Sequence, residues 1–139
     1  PHCRADVHLP LRPGTNVAVL DSLAHVIVRE HLFDEAFIRA RCREDEFRTW
    51  AVLVGDDRYS PEVVGPEAGL DPEAIRRAAR LYAGGPNSII YYGLGVTEHS
   101  QGSTGVMCLG NLALACGMLG REGVGVNPLR GQGNVQGGS

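Results

Sequence analysis

The apolar positions that follow residue 16 recur with the period of an α-helix. They are Val17, Leu20, Leu23, Ala24, Ile27 and Val28. Thr15 or Asn16, directly before them, can cap this helix. Upstream, Val7–Leu11 alternates weakly and is closed by Pro13-Gly14, which predicts a short strand that runs into a turn. Because a strand, a glycine turn and a helix start in that order direct free backbone N–H groups to one point, this junction favours anion binding.

Further helices are predicted by their starting residues. Asp34 can cap a second helix, and the apolar residues within 47–54 indicate a third helix that Gly55 ends. Ser60-Pro61-Glu62 and Asp71-Pro72-Glu73 each combine a cap, a proline at the first helical position and an acid in the first turn. Both tripeptides therefore predict the start of a helix.

The second half of the chain predicts one more strand and one more helix. Ser88–Tyr92 has the composition of a buried strand, which Gly93 ends. A last helix, from about Gly102 to Leu119, is poor in side-chain volume. Such a helix is unstable in isolation, so we expect it to pack closely against a neighbour.

This order of elements predicts an α/β fold of three layers, with a mostly parallel sheet and flanking helices. Gly14-Thr15-Asn16 and Gly93–Thr97 each follow the carboxyl end of a predicted strand. Ligands of such sheets bind beyond those ends. We therefore expect the two segments to lie at the same edge of one sheet and to line one crevice.

Composition excludes several kinds of partner. The 139 residues suit about one domain, and a net charge of -3 without a basic run argues against nucleic acid. The longest apolar run, residues 106–119, is broken by Asn111 and is too short to cross a bilayer, so no direct membrane insertion is expected. The four cysteines show no metal-binding spacing, which predicts no metal ligand in this chain and favours buried free thiols.

A glycine-rich run, Gly123–Gly137, carries the most informative chemistry. It contains one cation, Arg130, followed by the amides Gln132 and Gln136. Glycine lets the backbone approach a ligand closely, and the arginine fork matches a carboxylate. The run is too irregular for a helix and too rich in glycine for an ordinary strand, so it predicts a binding loop for an anion. A flexible glycine-rich tail is the alternative.

Three blocks of the chain resemble, in the same order, the catalytic subunit of molybdenum- or tungsten-dependent formate dehydrogenases, within the molybdopterin oxidoreductases. They are ADVHLPLRPGTN (residues 5–16), YGLGVTEHSQG (residues 92–102) and GVNPLRGQ (residues 125–132). The resemblance covers nearly the whole chain. It implies residues 1–122 as part of a dinucleotide-binding α/β domain of a larger subunit, and 123–139 as a glycine-rich active-site loop.

The resemblance also implies roles for individual residues. Arg130 would orient formate beside the metal, and Gln132 would bind the pterin or support Arg130. The contacts to the pterin dinucleotide would be Gly14, Thr15 and Asn16 at its guanosine end, and Gly93, Leu94, Gly95, Val96 and Thr97 along its length. Leu94 and Glu98 stand where many relatives have Met and Gln. The implied cofactors are bis-molybdopterin guanine dinucleotide with Mo or W, and a [4Fe-4S] cluster that residues outside this chain ligate.

The activity so implied is oxidation of formate to CO2, or its reverse, in the cytoplasm. Electrons would leave through the cluster to an electron-acceptor subunit or an NAD-reducing partner. The family's metal-ligating cysteine or selenocysteine is not found in this chain, so we expect an internal fragment that is inactive alone. Two alternatives are another molybdopterin oxidoreductase such as a nitrate reductase, which Arg130 in its motif disfavours, and a non-catalytic nucleotide-binding α/β module.

Overall fold

Helices make up most of the fold. A computed structural model describes residues 5–131 and 133–135. The helices are α1 (Asn16–Arg29), α2 (Glu35–Arg41), α3 (Glu44–Val54), α4 (Pro61–Ala68), α5 (Pro72–Gly84), α6 (Leu94–Thr97) and α7 (Gly102–Ala115). A 3-10 turn, Asp57–Tyr59, precedes α4. The two strands are β1 (Ile89–Tyr92) and β2 (Gly125–Pro128).

Local chemistry places the predicted helix starts. Asp34 Oδ1 accepts a hydrogen bond from the Phe37 N–H at 2.9 Å, and Asp71 Oδ1 accepts one from the Glu73 N–H at 3.2 Å. Pro61 and Pro72 occupy the first position of α4 and α5, where a missing N–H costs nothing. These helix starts confirm the predictions made from the cap residues.

Helix α1 begins at Asn16, as predicted, but its first turn is not capped by a side chain. The Thr15 hydroxyl instead donates to the Arg12 carbonyl at 2.7 Å. The prediction of a side-chain cap at Thr15 or Asn16 was therefore wrong. The turn at residues 12–15 uses the Thr15 hydroxyl, so this hydroxyl does not cap α1.

The predicted strand at Val7–Leu11 was also wrong. This segment joins no sheet, and its Leu11 N–H is bonded to the nearby Leu9 carbonyl at 2.8 Å. The next residue, Arg12, donates from its backbone N–H to Ala68 at 2.9 Å and from its guanidinium to the carbonyls of Pro66 and Glu67. The segment therefore satisfies the orphan carbonyls at the end of α4.

The sheet has two parallel strands, in which Ile89 lies opposite Gly125 and Tyr92 opposite Pro128. The prediction of an irregular loop from residue 123 was thus wrong for Gly125–Pro128. Gly125 has a φ of +145°, which its missing Cβ allows. Val126 packs against the core, and this burial favours the strand over a loop.

Strand β1 was predicted at the right place but is buried on one side only. Ile90 packs against the core, whereas Ile89 and Tyr91 point the other way and are 40% and 62% exposed. The architecture is a helix-rich α/β fold with a small parallel sheet. No helix of the described ranges combines the length and the apolar character needed to cross a membrane.

Close packing around α7 builds the main core. Ala113 and Ala115 are buried, so the small residues of α7 allow the close approach that the sequence predicted. The helix ends at Ala115, before the predicted Leu119, because Gly117 adopts a left-handed conformation with φ +65°. Met118 N–H then bonds to the Ala113 carbonyl at 2.8 Å, which closes a Schellman motif.

Candidate functional site

The starts of α1 and α7 share a narrow cleft of about 80 Å³. It is lined by Gly14, Asn16, Val17, Val96, His99, Ser100, Gln101 and Gly105. The two predicted segments therefore do meet. The predicted cause was wrong, because only the segment after Tyr92 follows a strand.

Backbone N–H groups at the two helix starts make this cleft suited to a polar or anionic group, although the Gly102 N–H already donates to the His99 carbonyl at 2.9 Å. Helices α1 and α7 are each 14 residues long, and neither has a side-chain cap at its start. The first N–H groups of a helix have no partner within it, and the helix dipole adds partial positive charge there. Two such helix starts at one cleft reinforce each other.

The predicted cofactor contacts are distributed unequally around the cleft. Gly14, Asn16 and Val96 line it. The side chain of Thr15 is turned back to the Arg12 carbonyl, and Leu94 is 53% exposed. Gly93, Gly95 and Thr97 are close to Val96 in the sequence but are not among the residues that line the cleft. Residues 94–97 form the short helix α6 and not an open loop.

Glycines on α7 bring that helix against α6. A Cβ at Gly105 would lie 3.4 Å from Val96 Cγ1. At Gly102 it would lie 2.8 Å from the Thr97 carbonyl carbon and closer still to the oxygen. The distance at Gly105 is an ordinary van der Waals contact, whereas at Gly102 only a residue without a Cβ fits unless the backbone shifts.

The predicted cofactor contacts omit part of this lining. His99 was not among them, yet it lines the cleft and its Nε2 is 2.8 Å from the Gly95 carbonyl oxygen. Ser100 and Gln101 were not among them either. The spacing of Gly102 and Gly105, directly after these polar residues, was the signal of a close helix–helix approach that could have located them.

Arg130 lies beside the end of β1. The Leu129 N–H donates to the Tyr92 carbonyl at 2.7 Å, which extends the strand pairing past Pro128. The Arg130 guanidinium carbon stands 5.6 Å from the centre of the Tyr92 ring. A Cβ at Gly93 would lie 3.5 Å from the Leu129 carbonyl oxygen, so the segments that carry Arg130 and the predicted cofactor contacts touch.

One guanidinium nitrogen of Arg130 is buried without a partner. Its Nη1 has no hydrogen bond to any residue that the structure describes. An unsatisfied buried donor costs about 1–3 kcal/mol, and more when it is charged. Arg80, by contrast, donates two hydrogen bonds to Glu30 at 2.8 Å each. The Nη1 of Arg130 is therefore a buried charged donor that no described residue satisfies.

Three of the four cysteine thiols lie within the described residues. Within residues 5–131 and 133–135, no group of His, Cys, Asp and Glu is placed to hold a metal ion. Cys42, Cys108 and Cys116 are free, and of these only Cys116 is fully buried. Burial raises the pKa of Cys108 and Cys116 to about 12, so neither is a thiolate at neutral pH. Cys3 and Gln132 lie outside the described residues.

Comparison with known proteins extends over the whole chain. Residues 2–139 match the family described as Molybdopterin oxidoreductase. Formate dehydrogenase H of Escherichia coli (strain K12) is 42% identical over 133 residues, which is 96% of this chain and 18% of that protein. The F420-dependent formate dehydrogenase 1 subunit alpha of Methanococcus maripaludis is 42% identical over 135 residues, 96% of this chain and 19% of that subunit. The chain thus spans about a fifth of the length of these relatives.

The fold has a counterpart among solved structures. Acetylene hydratase from Pelobacter acetylenicus superposes with a TM-score of 0.74 at 27% identity, covering 86% of this chain and 16% of that protein. The family assignment rests on the match of residues 2–139. This chain belongs to the molybdopterin oxidoreductase family.

Proposed function

We propose that this chain forms part of the cofactor and substrate site of a formate dehydrogenase, which oxidises formate to CO2 or catalyses the reverse reaction. The observation that carries the proposal is the buried, unpartnered Nη1 of Arg130 beside Tyr92. The similarity to formate dehydrogenases over 96% of the chain supports it.

Arg130 is the residue to which we assign substrate binding. A guanidinium presents parallel N–H donors that match both oxygens of a carboxylate. It has N–H donors and no acceptor, so it can bind formate and offset the negative charge of the carboxylate without accepting a proton. With both oxygens held, the C–H bond of formate is left pointing away from Arg130. When bound, the molybdopterin centre supplies the two-electron acceptor for the reaction.

The cleft at the starts of α1 and α7 is our candidate for one polar group of the cofactor. Its uncapped N–H groups suit a phosphate or the edge of a base, and its volume of about 80 Å³ suits one such group only. We assign it to bis-molybdopterin guanine dinucleotide, with Gly14, Asn16 and Val96 lining it. Thr15, Gly93, Leu94, Gly95, Thr97 and Gln132 are proposed as further cofactor contacts.

The finer architecture follows from the same proposal. The small parallel sheet would belong to a three-layer domain, with residues 1–122 as its dinucleotide-binding part and 123–139 as the active-site loop. A [4Fe-4S] cluster ligated elsewhere would pass electrons to an acceptor subunit or an NAD-reducing partner. Molybdenum and tungsten are both compatible with the residues present here.

Replacement of Arg130 by Lys in the enzyme that carries these residues tests the proposal. Lysine retains the charge but lacks the planar fork, so kcat/KM for formate should fall by about 100- to 1000-fold while the metal content stays the same. The measurements are steady-state kinetics with a dye acceptor and metal analysis by mass spectrometry. Arg80→Lys, which alters an exposed ion pair on α5, is the matched control and should leave both values near those of the wild type.

An equal loss of metal and activity in Arg130→Lys would contradict the assignment, because Arg130 would then retain the cofactor and not the substrate. Unchanged turnover of formate in Arg130→Lys would contradict the role of Arg130, whereas no turnover of formate by the wild-type enzyme would contradict the proposed function itself.

A further inference from the structure

We propose that Tyr92 is the positioning residue for Arg130, holding the guanidinium in place while leaving its N–H groups free for the substrate. This inference rests on the function proposed above. It concerns a residue that neither the motifs nor the family resemblance singled out as a contact.

A backbone contact joins Tyr92 to the segment that carries Arg130. Tyr92 is the last residue of β1 and lies opposite Pro128, which has no N–H to contribute to the pairing. The pairing is completed one residue later, where the Leu129 N–H donates to the Tyr92 carbonyl at 2.7 Å. This bond fixes the direction of the chain directly before Arg130.

The side chain of Tyr92 also lies close to that of Arg130. The Arg130 guanidinium carbon lies 5.6 Å from the centre of the Tyr92 ring, within the range of a cation–π interaction. No carboxylate of the described residues forms an ion pair with Arg130. The aromatic ring is therefore the attraction that the structure provides for this cation.

The choice of an aromatic ring has a chemical consequence. A carboxylate would hold Arg130 through the same N–H donors that formate needs, and it would cancel the positive charge. The face of a ring attracts the cation through its quadrupole and uses none of the N–H donors. The unpartnered, buried Nη1 is the result expected of such an arrangement.

Tyr92 is not explained as a core residue. Neither of the two apolar clusters of the described residues includes it, whereas Ile90, two positions earlier on the same face of β1, packs into the larger one. Its neighbour Tyr91 lies on the opposite face and is 62% exposed. Tyr92 makes the proposed contact with Arg130, whereas Tyr91 has the same side chain and does not make it. Tyr91 is therefore a matched control position.

The test uses Tyr92→Leu, Tyr92→Phe and the control Tyr91→Leu in the cofactor-loaded enzyme. Loss of a partly desolvated cation–π contact should raise KM for formate about tenfold in Tyr92→Leu, with the metal content unchanged. Tyr92→Phe keeps the ring face and should stay within about threefold of the wild type. Tyr91→Leu should match the wild type, since that ring is on the other face.

A second readout follows Arg130 directly and needs no turnover. Phenylglyoxal modifies accessible guanidinium groups, and peptide mass spectrometry reports the rate at Arg130. Tyr92→Leu should speed this modification, and about tenfold more formate should be needed to protect Arg130 than in the wild type or Tyr92→Phe.

The outcomes separate the two proposals. Wild-type KM and wild-type modification rates in Tyr92→Leu would overturn the role of Tyr92, as would a Tyr92→Phe variant that is as impaired as Tyr92→Leu. Loss of metal in Tyr92→Leu together with an unchanged modification rate at Arg130 would overturn it too. Failure of formate to protect Arg130 in the wild-type enzyme would instead contradict the proposed formate-binding function, even if the modification rate still depended on the ring.

Discussion

Gly102 is the residue at which α6 and α7 come closest. A Cβ there would press against the carbonyl group of Thr97, which is backbone and cannot rotate away. Gly110, further along the same helix, has no atom within 4 Å of where its Cβ would stand. Helix α7 therefore contains one glycine, Gly102, that a close contact requires, and another, Gly110, that no contact requires.

The two glycines should respond to alanine in opposite directions. Gly102→Ala should lower the free energy of unfolding by about 1–3 kcal/mol, because α7 must shift away from α6. Gly110→Ala should raise it by about 0.5–1 kcal/mol, since alanine is the better helix former. Urea unfolding of both variants measures this, and a Gly102→Ala variant as stable as Gly110→Ala would refute the contact argument.

Single residues were the scale at which the sequence was most informative. Arg130 could be singled out because it is the one cation of a glycine-rich run, and its assignment to the substrate stays a prediction. Tyr92 could not be singled out from the sequence, since its place in β1 is that of any other strand residue. Its position against Arg130 depends on how β1 pairs with β2, which single-residue patterns do not encode.

At the scale of elements, an ion pair ties the end of α1 to α5. Arg80 donates from Nε and Nη2 to the two carboxylate oxygens of Glu30, both at 2.8 Å. These hydrogen bonds hold the pKa of Glu30 below its usual range, against a smaller opposing effect of burial. A depressed pKa means that the pair stabilises the fold above the pKa of an unfolded glutamate and loses that effect as the pH falls through the folded value.

Glu30→Gln should therefore be less stable than the wild type at pH 7 by a modest amount, since the pair is partly exposed. The difference should shrink as the pH falls through the lowered pKa of Glu30, where the wild-type carboxylate also becomes protonated. Thermal unfolding from pH 3 to pH 7 measures it. Glu122→Gln, at a residue outside the ion pairs of the described chain, is the control and should show no such trend. A deficit that persists at pH 3 would point to packing in place of charge.

Elements were predictable where their signals are local. The starts of α2, α4 and α5 follow from Asp34, Pro61 and Asp71-Pro72, because caps act within one turn. Whether a strand forms was not predictable for two segments, Val7–Leu11 and Gly125–Pro128. Val7–Leu11 docks on the end of α4 and joins no sheet, and Gly125–Pro128 becomes a strand despite its glycine because β1 is there to pair with it. Both outcomes depend on distant partners.

At the scale of the whole molecule, one face of the sheet is uncovered by the described residues. Ile89 and Tyr91 are 40% and 62% exposed on that face. Parallel sheets are normally covered on both faces. Adjacent exposed apolar side chains on a strand also favour association between chains.

We expect the 139-residue chain to self-associate through this face. The double variant Ile89→Thr/Tyr91→Thr keeps strand-favouring residues but removes most of the apolar surface, so it should shift sedimentation towards the monomer. Val52→Thr alters a side chain on α3 that is 79% exposed and lies away from the sheet, so it should leave the distribution unchanged. Equal effects of the two changes would mean that general surface hydrophobicity, and not the sheet face, drives association.

The parallel pairing of β1 with β2 also determines when Arg130 is placed during folding. Ile89 and Gly125 are partners across α6, α7 and their flanking turns, so their contact closes a long loop. Arg130 reaches the ring of Tyr92 only after β2 has added to β1, because the bond from the Leu129 N–H to the Tyr92 carbonyl continues that pairing. A variant that slows the docking of α7 would therefore delay the placement of Arg130 without altering its final geometry.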